Sequence, residues 1–210
     1  MSGIHQAVVS TFIATGPAIG SAFQGGYYAG QISTAGNGVA DFYLVVAPKS
    51  SGENSSKQWK TSSTSTSGTS SVIDGPTNSA NMNNANHPAA AFCEGLTIGS
   101  YSDWYMPAKN ELEVCYYNLK PTTTSNNTNS GTNTNAVPSR GSNYTASVPA
   151  QTSATDFKTG NSEAFAADAY WSSTEYSAPG AWAQSFDNGD QYDSAKSNLT
   201  RVRAVRRVAV

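Results

Sequence analysis

Asp187, Asn188, Asp190 and Asp193 bring oxygen donors close together near the C-terminal end of the chain. Such a set suits a hard cation such as calcium. Two carboxylates flanking a cleft also suit glycoside hydrolysis. Both chemistries need the groups on one side of the backbone. Asn188-Gly189 between them is a hairpin signal, and a tight hairpin sends alternate residues to opposite faces, separating Asp193 from Asp187 and Asp190. The aspartates are therefore expected to flank and solvate a turn, with neither a metal site nor a catalytic pair. Nucleophilic chemistry is no better supplied. His5 and His87 are the two histidines, one in an N-terminal segment and one at a helix start, so no Ser-His-Asp or Cys-His triad assembles. Cys93 and Cys115 are too few for a disulfide framework or a zinc site. No catalytic residue, metal or cofactor is expected, which leaves recognition.

The residues that could recognise a ligand are Tyr176, Gln184, Asp187, Asn188, Asp190, Gln191, Tyr192, Asp193 and Asn198, read as an outward surface. Tyrosine supplies contact area at low entropic cost, while amides and carboxylates supply directional hydrogen bonds. Trp171, Trp182, Phe186 and Val205 read as the core beneath them.

A terminal antiparallel unit must position this surface. Ala181 to Phe186 alternates as a strand, with Trp182, Gln184 and Phe186 on one side and Ala181, Ala183 and Ser185 on the other. Asn188-Gly189 predicts a two-residue type I′ turn. That turn sets Phe186 opposite Gln191, Gln184 opposite Asp193, Ser185 opposite Tyr192 and Asp187 opposite Asp190. Upstream, YYAGQI and DFYLVVAP (Asp41 to Pro48) predict a first hairpin through Gly36 to Gly38. Ser50 to Ser71 reads as a Ser/Thr-rich loop held to the body by Trp59, and Ile73 to Asn86 as a run of turns. Two helices follow, one in AAAFCEGL after Asn86-His87-Pro88, the other from near Pro107 to Lys120-Pro121. Leu112, Cys115, Tyr116 and Leu119 form its apolar stripe. Each cysteine falls on such a stripe and is expected as a buried free thiol. Thr122 to Asn135 holds only Thr, Ser, Asn and Gly and reads as a long surface loop. Ala164 to Tyr170 reads as one helical turn.

The chain has 210 residues, 38% hydrophobic and only 12% charged, where roughly 25% is usual. Hydroxyls and amides replace the missing charge on the surface. A net charge of −2 excludes a general nucleic-acid footprint. No apolar run is long enough to span a membrane. The Ala7 to Ile19 stretch lacks a preceding Lys or Arg and is broken by Gly16-Pro17, so it reads as an ordinary segment, not a signal peptide. Synthesis in a reducing cytosol fits the two cysteines. Residues 1–24 read as an arm for assembly or docking, and residues 25–210 as one domain.

SDWYMPAKNELE (Ser102 to Glu113), YWSSTE (Tyr170 to Glu175), Ala181-Trp182 and VRAVRRV (Val202 to Val208) occur in this order. Together they resemble the C-terminal domain family of Lcl-type, collagen-like bacterial adhesins, which has a C-type-lectin-like fold. The front-half segments GGYYAGQI and VVAPKSSGE are similar to marine phage tail-fibre and structural proteins. Similar C-terminal segments also occur in the variable proteins of diversity-generating retroelements. The resemblance implies an α+β, C-type-lectin-like domain with two helices, small antiparallel sheets and long polar loops. It implies a virion protein that meets other virion proteins and a host-surface glycan or protein, as a homo-oligomer such as a trimer. A purely structural capsid or tail subunit is the alternative. The lectin family's Glu-Pro-Asn or Gln-Pro-Asp sugar motif is missing, and so is the late cysteine pair of the lectin-fold formylglycine-generating enzymes. In such folds the terminal strands pair, which sets Tyr43 to Val46 beside VRAVRRV. Arg203 and Arg206 then reach carboxylates, with Glu175, Glu111 and Glu113 the candidates.

Overall fold

The computed structural model describes residues 16–210. In chain order they form β1 (Ala22–Phe23), β2 (Gly26–Ile32), β3 (Phe42–Val46), α1 (Lys49–Gly52), β4 (Glu53–Lys57), α2 (Gly75–Ala80), α3 (Pro88–Glu94) and α4 (Lys109–Leu119). Then come β5 (Ala136–Val137), a 3-10 turn (Thr155–Phe157), β6 (Ala169–Glu175), β7 (Gly180–Ser185), β8 (Gln191–Ala195), β9 (Thr200–Arg203) and β10 (Val205–Ala209). This is a mixed α+β architecture. No described helix is long and apolar enough to cross a membrane.

The expected first hairpin forms, with β2 antiparallel to β3 and Tyr28 opposite Val45. β10 adds to the other side of β3, Val205 opposite Val46 and Val208 opposite Tyr43, so the terminal strands pair. β1 and β5 complete this sheet along β2. A second sheet runs β4, β9, β6, β7, β8, leaving β8 at its edge. VRAVRRV is therefore two strands in two sheets. It breaks at Ala204, whose N–H and C=O bond Gly52 and Ala47.

Strand alternation divides the interior in two. Leu44 and Val46 of β3 join Leu112, Cys115, Tyr116 and Leu119 of α4 with Phe157, Phe165, Tyr170 and Phe186. Val45 and Ala47 join Trp59, Ala89, Cys93, Trp104, Trp171, Ala181 and Ala183. The α4 stripe is fully buried, each leucine contributing roughly 2 kcal/mol. α4 lies so close to β2 that a Cβ on Gly30 would come within 2.4 Å of the Asn118 amide. Both cysteines are buried and free.

The arginines do pair with carboxylates, but not those expected. Arg203 is buried on Glu163 (Nη2 to Oε2 2.7 Å) and on the Ala47 and Glu163 carbonyls. Arg206 forms a two-pronged pair with Asp103 at 2.7 and 2.8 Å. Glu111 takes Arg207, Glu113 takes Arg140 and Glu175 takes Lys196. Burying a guanidinium requires such a partner. The partners of Arg203 and Arg206 sit in irregular segments, where no periodicity marks them.

Other expectations are corrected. Residues 73–86 contain α2, where Asp74 Oδ1 accepts the Thr77 N–H. Residues 50–71 contain β4, and Trp59 beyond it is fully buried, donating its indole N–H to Ser172 O. Residues 164–170 form no helix, because Phe165 turns into the core and Ala169 starts β6. The arm boundary at residue 24 also moves. Gly20 bonds Tyr28 and β1 pairs with β2, so these residues belong to the sheet. The rest of the proposed arm, residues 1–15, lies outside the described residues.

Candidate functional site

The hairpin tip is built differently from a type I′ turn. The β7–β8 ladder ends with Gln184 opposite Gln191, and Ser185 N–H bonds Asp190 O. Phe186 to Gly189 form a longer loop, in which Gly189 takes the left-handed conformation (φ +78°) and Asn188 does not. Phe186 explains the change. Its ring stacks on Phe165 at 4.1 Å and meets Tyr116 edge-on at 5.5 Å, and its N–H bonds Asp168 O. A side chain drawn into the core cannot stay in the ladder. A Cβ on Gly189 would lie 2.3 Å from the Tyr116 ring, so glycine is required by space as well as by φ.

The register slips by two, so each side chain keeps its face. Trp182 and Gln184 share theirs with Asp193 and Gln191, while Ala183 shares the other with Tyr192. Strand β7 is largely covered on both faces while edge strand β8 stays open, and exposure differs from expectation. Gln184 is not outward. It is buried at 1% exposure, with Nε2 near Tyr144 Oη (3.3 Å) and Gly189 O (3.4 Å). Trp182, expected in the core, is only part-buried, with Lys109 Nζ 3.8 Å from its ring centre and Tyr176 edge-on at 5.1 Å. Burial lowers the Lys109 pKa. Tyr176 and Tyr192 are both exposed, but on opposite faces of the ribbon. Burial raises the Tyr192 pKa, and Asp168 and Asp190 raise it further.

The remaining predicted residues divide between the ribbon's ends. Asp187, Asn188 and Asp190 at the tip are stitched to the polar loop 122–135. Asp187 Oδ1 accepts from Thr124 at 2.9 Å, Asn188 O from Asn127 N–H at 2.8 Å, and Gln191 N–H donates to Ser130 Oγ at 2.9 Å. Asn198 follows the far end of β8, about 16 Å away at strand rise, where it bonds Ser194. No group of three or more His, Cys, Asp or Glu among the described residues could hold a metal ion.

The polar loop is fastened from inside. Lys120 Nζ donates to Thr124 O (2.6 Å), Asn126 Oδ1 (2.7 Å) and Pro149 O (3.3 Å). Asn126 Nδ2 donates to Thr145 O and Pro149 O, and Tyr116 Oη donates to Asn126 Oδ1. Buried Glu113 accepts from Asn133, Tyr144 and Arg140. These bonds hold the loop against α4 and the ribbon, leaving a hollow of about 170 Å³ between them. Trp182 and Gln191 line it from the ribbon, Asn129, Ser130 and Thr132 from the loop, with Lys109 from α4 and Asn143. Asn143 also borders a second hollow of about 230 Å³ with Tyr117, Arg140, Tyr144 and Val148. Only Gln191 of the lining was expected. Sequence reasoning missed the others because a Thr/Asn loop shows no period, and Trp182 reads as core by type.

A separate polar cluster ties down residues 60–69. Lys60 Nζ bonds Thr64 O, Ser65 O and Thr66 Oγ1, and Lys196 bonds Thr64 O and Glu175. His87 Nε2 meets Thr66 Oγ1 at 2.9 Å and its Nδ1 meets Asn84 Oδ1 at 2.9 Å. Burial, with Lys60 and Lys196 adding, lowers the His87 pKa to about 4.

Comparison with known proteins agrees with the motif pattern. No curated protein matches the chain. A fimbrial protein from Bacteroides ovatus ATCC 8483 aligns at 15% identity and TM-score 0.40, over 82% of this chain and 36% of that one. The chain thus spans about a third of that protein's length. The Lcl C-terminal domain model matches residues 52–206, covering α4, the polar loop and the whole β6–β9 unit. By that match the chain belongs to the Lcl C-terminal domain family.

Proposed function

We propose that the chain is an attachment protein of a phage virion, a fibre tip or surface decoration with a C-type-lectin-like domain that binds a host-surface glycan or protein. The observation that carries this reading is the hollow between Trp182 and the polar loop, which lies within the residues that the family model matches. An aromatic ring ringed by amides and hydroxyls and held by a fastened loop is suited to recognition. The sparse charge and the hydroxyl-rich surface fit a particle exposed to changing salt.

Binding of the purified chain to host cells tests the reading, and the two exposed tyrosines separate the faces. Tyr176 stands beside Trp182, so Tyr176→Ala should weaken attachment several-fold while Tyr192→Ala leaves it nearly unchanged. Equal loss in both variants, or in neither, counts against this face. A chain that shows no cell binding and lies buried between subunits in the intact particle would instead be a structural subunit.

A further inference from the structure

We infer that Asn37-Gly38, in the turn between β2 and β3, is a self-modification site, where the glycine nitrogen displaces the asparagine amide as ammonia and water then leaves an aspartate or isoaspartate. The chain holds two Asn-Gly pairs, Asn37-Gly38 and Asn188-Gly189. The fold exposes one to this chemistry and shields the other.

Both asparagines bend the same way. Asn37 Oδ1 accepts the Val39 N–H at 3.0 Å and Asn188 Oδ1 the Asp190 N–H at 3.1 Å, a turn that draws each side-chain amide over the glycine that follows. The nucleophiles differ. Gly189 is buried against Tyr116, and its N–H donates to Ser185 O at 2.8 Å. Gly38 is exposed, its N–H has no hydrogen-bond partner among the described residues, and a Cβ built on it would meet nothing within 4 Å. The carbonyls differ as well. Asn37 Oδ1 accepts a second bond, from Ser33 Oγ at 2.9 Å, whereas Asn188 Oδ1 has only the Asp190 N–H among the described residues. Ser33 is fully buried and firmly held, its N–H on Asn135 O and its C=O accepting from Asn135 Nδ2. Two fixed donors on one carbonyl oxygen stabilise the negative charge that develops there when a nucleophile adds.

The step balances with water alone. The Gly38 amide gives its proton to solvent hydroxide, and the nitrogen bonds to Asn37 Cγ. The Cγ–Nδ2 bond breaks, and Nδ2, which has no partner among the described residues, takes a proton from water and leaves as ammonia. Water then opens the cyclic imide. Cleavage at Cγ gives aspartate, and cleavage at the backbone carbonyl gives isoaspartate. Either product adds one negative charge to a chain whose net charge is −2. Below the turn, Asp41 Oδ2 accepts the Thr34 N–H at 2.6 Å and Ile32 pairs with Phe42. Converted chains therefore keep the hairpin and differ from the parent in charge.

The test incubates the full chain in mildly alkaline buffer made with oxygen-18 water, and follows both Asn-Gly pairs by peptide mapping and mass spectrometry. The Asn37 peptide should gain one labelled oxygen, lose ammonia and split into aspartate and isoaspartate forms, faster as pH rises. The Asn188 peptide of the same molecules should convert at least about tenfold more slowly, a barrier difference of about 1.4 kcal/mol. In urea, where the fold no longer separates them, the two rates should converge. Ser33→Ala should slow conversion at Asn37 several-fold, whereas a change that merely loosened the turn would speed it. Asn37 left intact while unfolded chain converts, or equal rates at the two pairs in folded chain, overturns the inference. Unchanged or faster conversion in Ser33→Ala overturns the part given to the hydroxyl.

Discussion

Acid should loosen the domain through His87. The imidazole is 5% exposed and sits between Thr66 and Asn84, close to the Lys60 and Lys196 ammonium groups. Its pKa is lowered from 6.5 to about 4. In the unfolded chain the ring takes up its proton near 6.5, whereas in the folded chain it does so only near 4. Between these values the unfolded state holds more protons, so stability is complete above about pH 6.5 and falls as pH drops towards 4. At 1.36 kcal/mol per pKa unit the loss is at most about 3 kcal/mol, and solvent screening at the exposed outer side of residues 60–69 lowers the expected figure to about 1–2 kcal/mol. Glu94 and Glu111 have pKa values raised by burial, and on acidification they act in the opposite direction. The His87 contribution must therefore be read as a difference. Urea unfolding of the parent chain and of His87→Gln, each at pH 7 and pH 4.5, isolates it. The parent should lose about 1–2 kcal/mol more than the variant over this interval. Equal losses would refute the assignment of the acid response to this ring.

Two further perturbations probe the frame around the hollow. Gly189→Ala places a methyl 2.3 Å from Tyr116 at φ +78° and should cost about 2–4 kcal/mol by thermal melting, while Asn188→Ala, which loses the Oδ1 bond to Asp190 N–H, should cost less than about 1 kcal/mol. Lys120→Met removes three donors from Thr124, Asn126 and Pro149 and should cost about 2–3 kcal/mol, with new proteolytic nicks between Thr122 and Asn135; an unchanged digestion pattern would show that the ammonium is not what fastens the loop.

Periodicity made the first hairpin and α4 legible, because Phe42 to Val46 and the Leu112, Cys115, Tyr116, Leu119 stripe bury by face. Burial of apolar side chains is what repeats at 2 or 3.6 residues. The hairpin tip was not legible. Asn188-Gly189 is a sound local signal for a two-residue turn, yet Phe165, well upstream, holds Phe186 in the core and overrides it. The loop 122–135 was read only as surface, since its anchors are polar. Asn126, Asn133 and Asn135 are buried by bonding to Lys120, Glu113 and Ser33, and hydropathy cannot register burial of that kind.

The two-residue slip keeps the strand alternation that the sequence implied while changing which residues are exposed. Parity survives a shift of two, so Trp182 and Gln184 do lie on one side of the strand, while Phe186 leaves the ladder. On β7 that side, however, faces α4, and the other faces the Trp59, Trp104 and Trp171 cluster, so open sheet surface is confined to edge strand β8. At the rim, where edge strand β8 meets the loop, Trp182 stays part-buried beneath Lys109 of α4. In a chain so poor in charge, the rim is shaped by Lys120 and Glu113 holding asparagines from within. The amides they do not engage, on Asn129, Asn143 and Gln191, line the hollow beside Trp182.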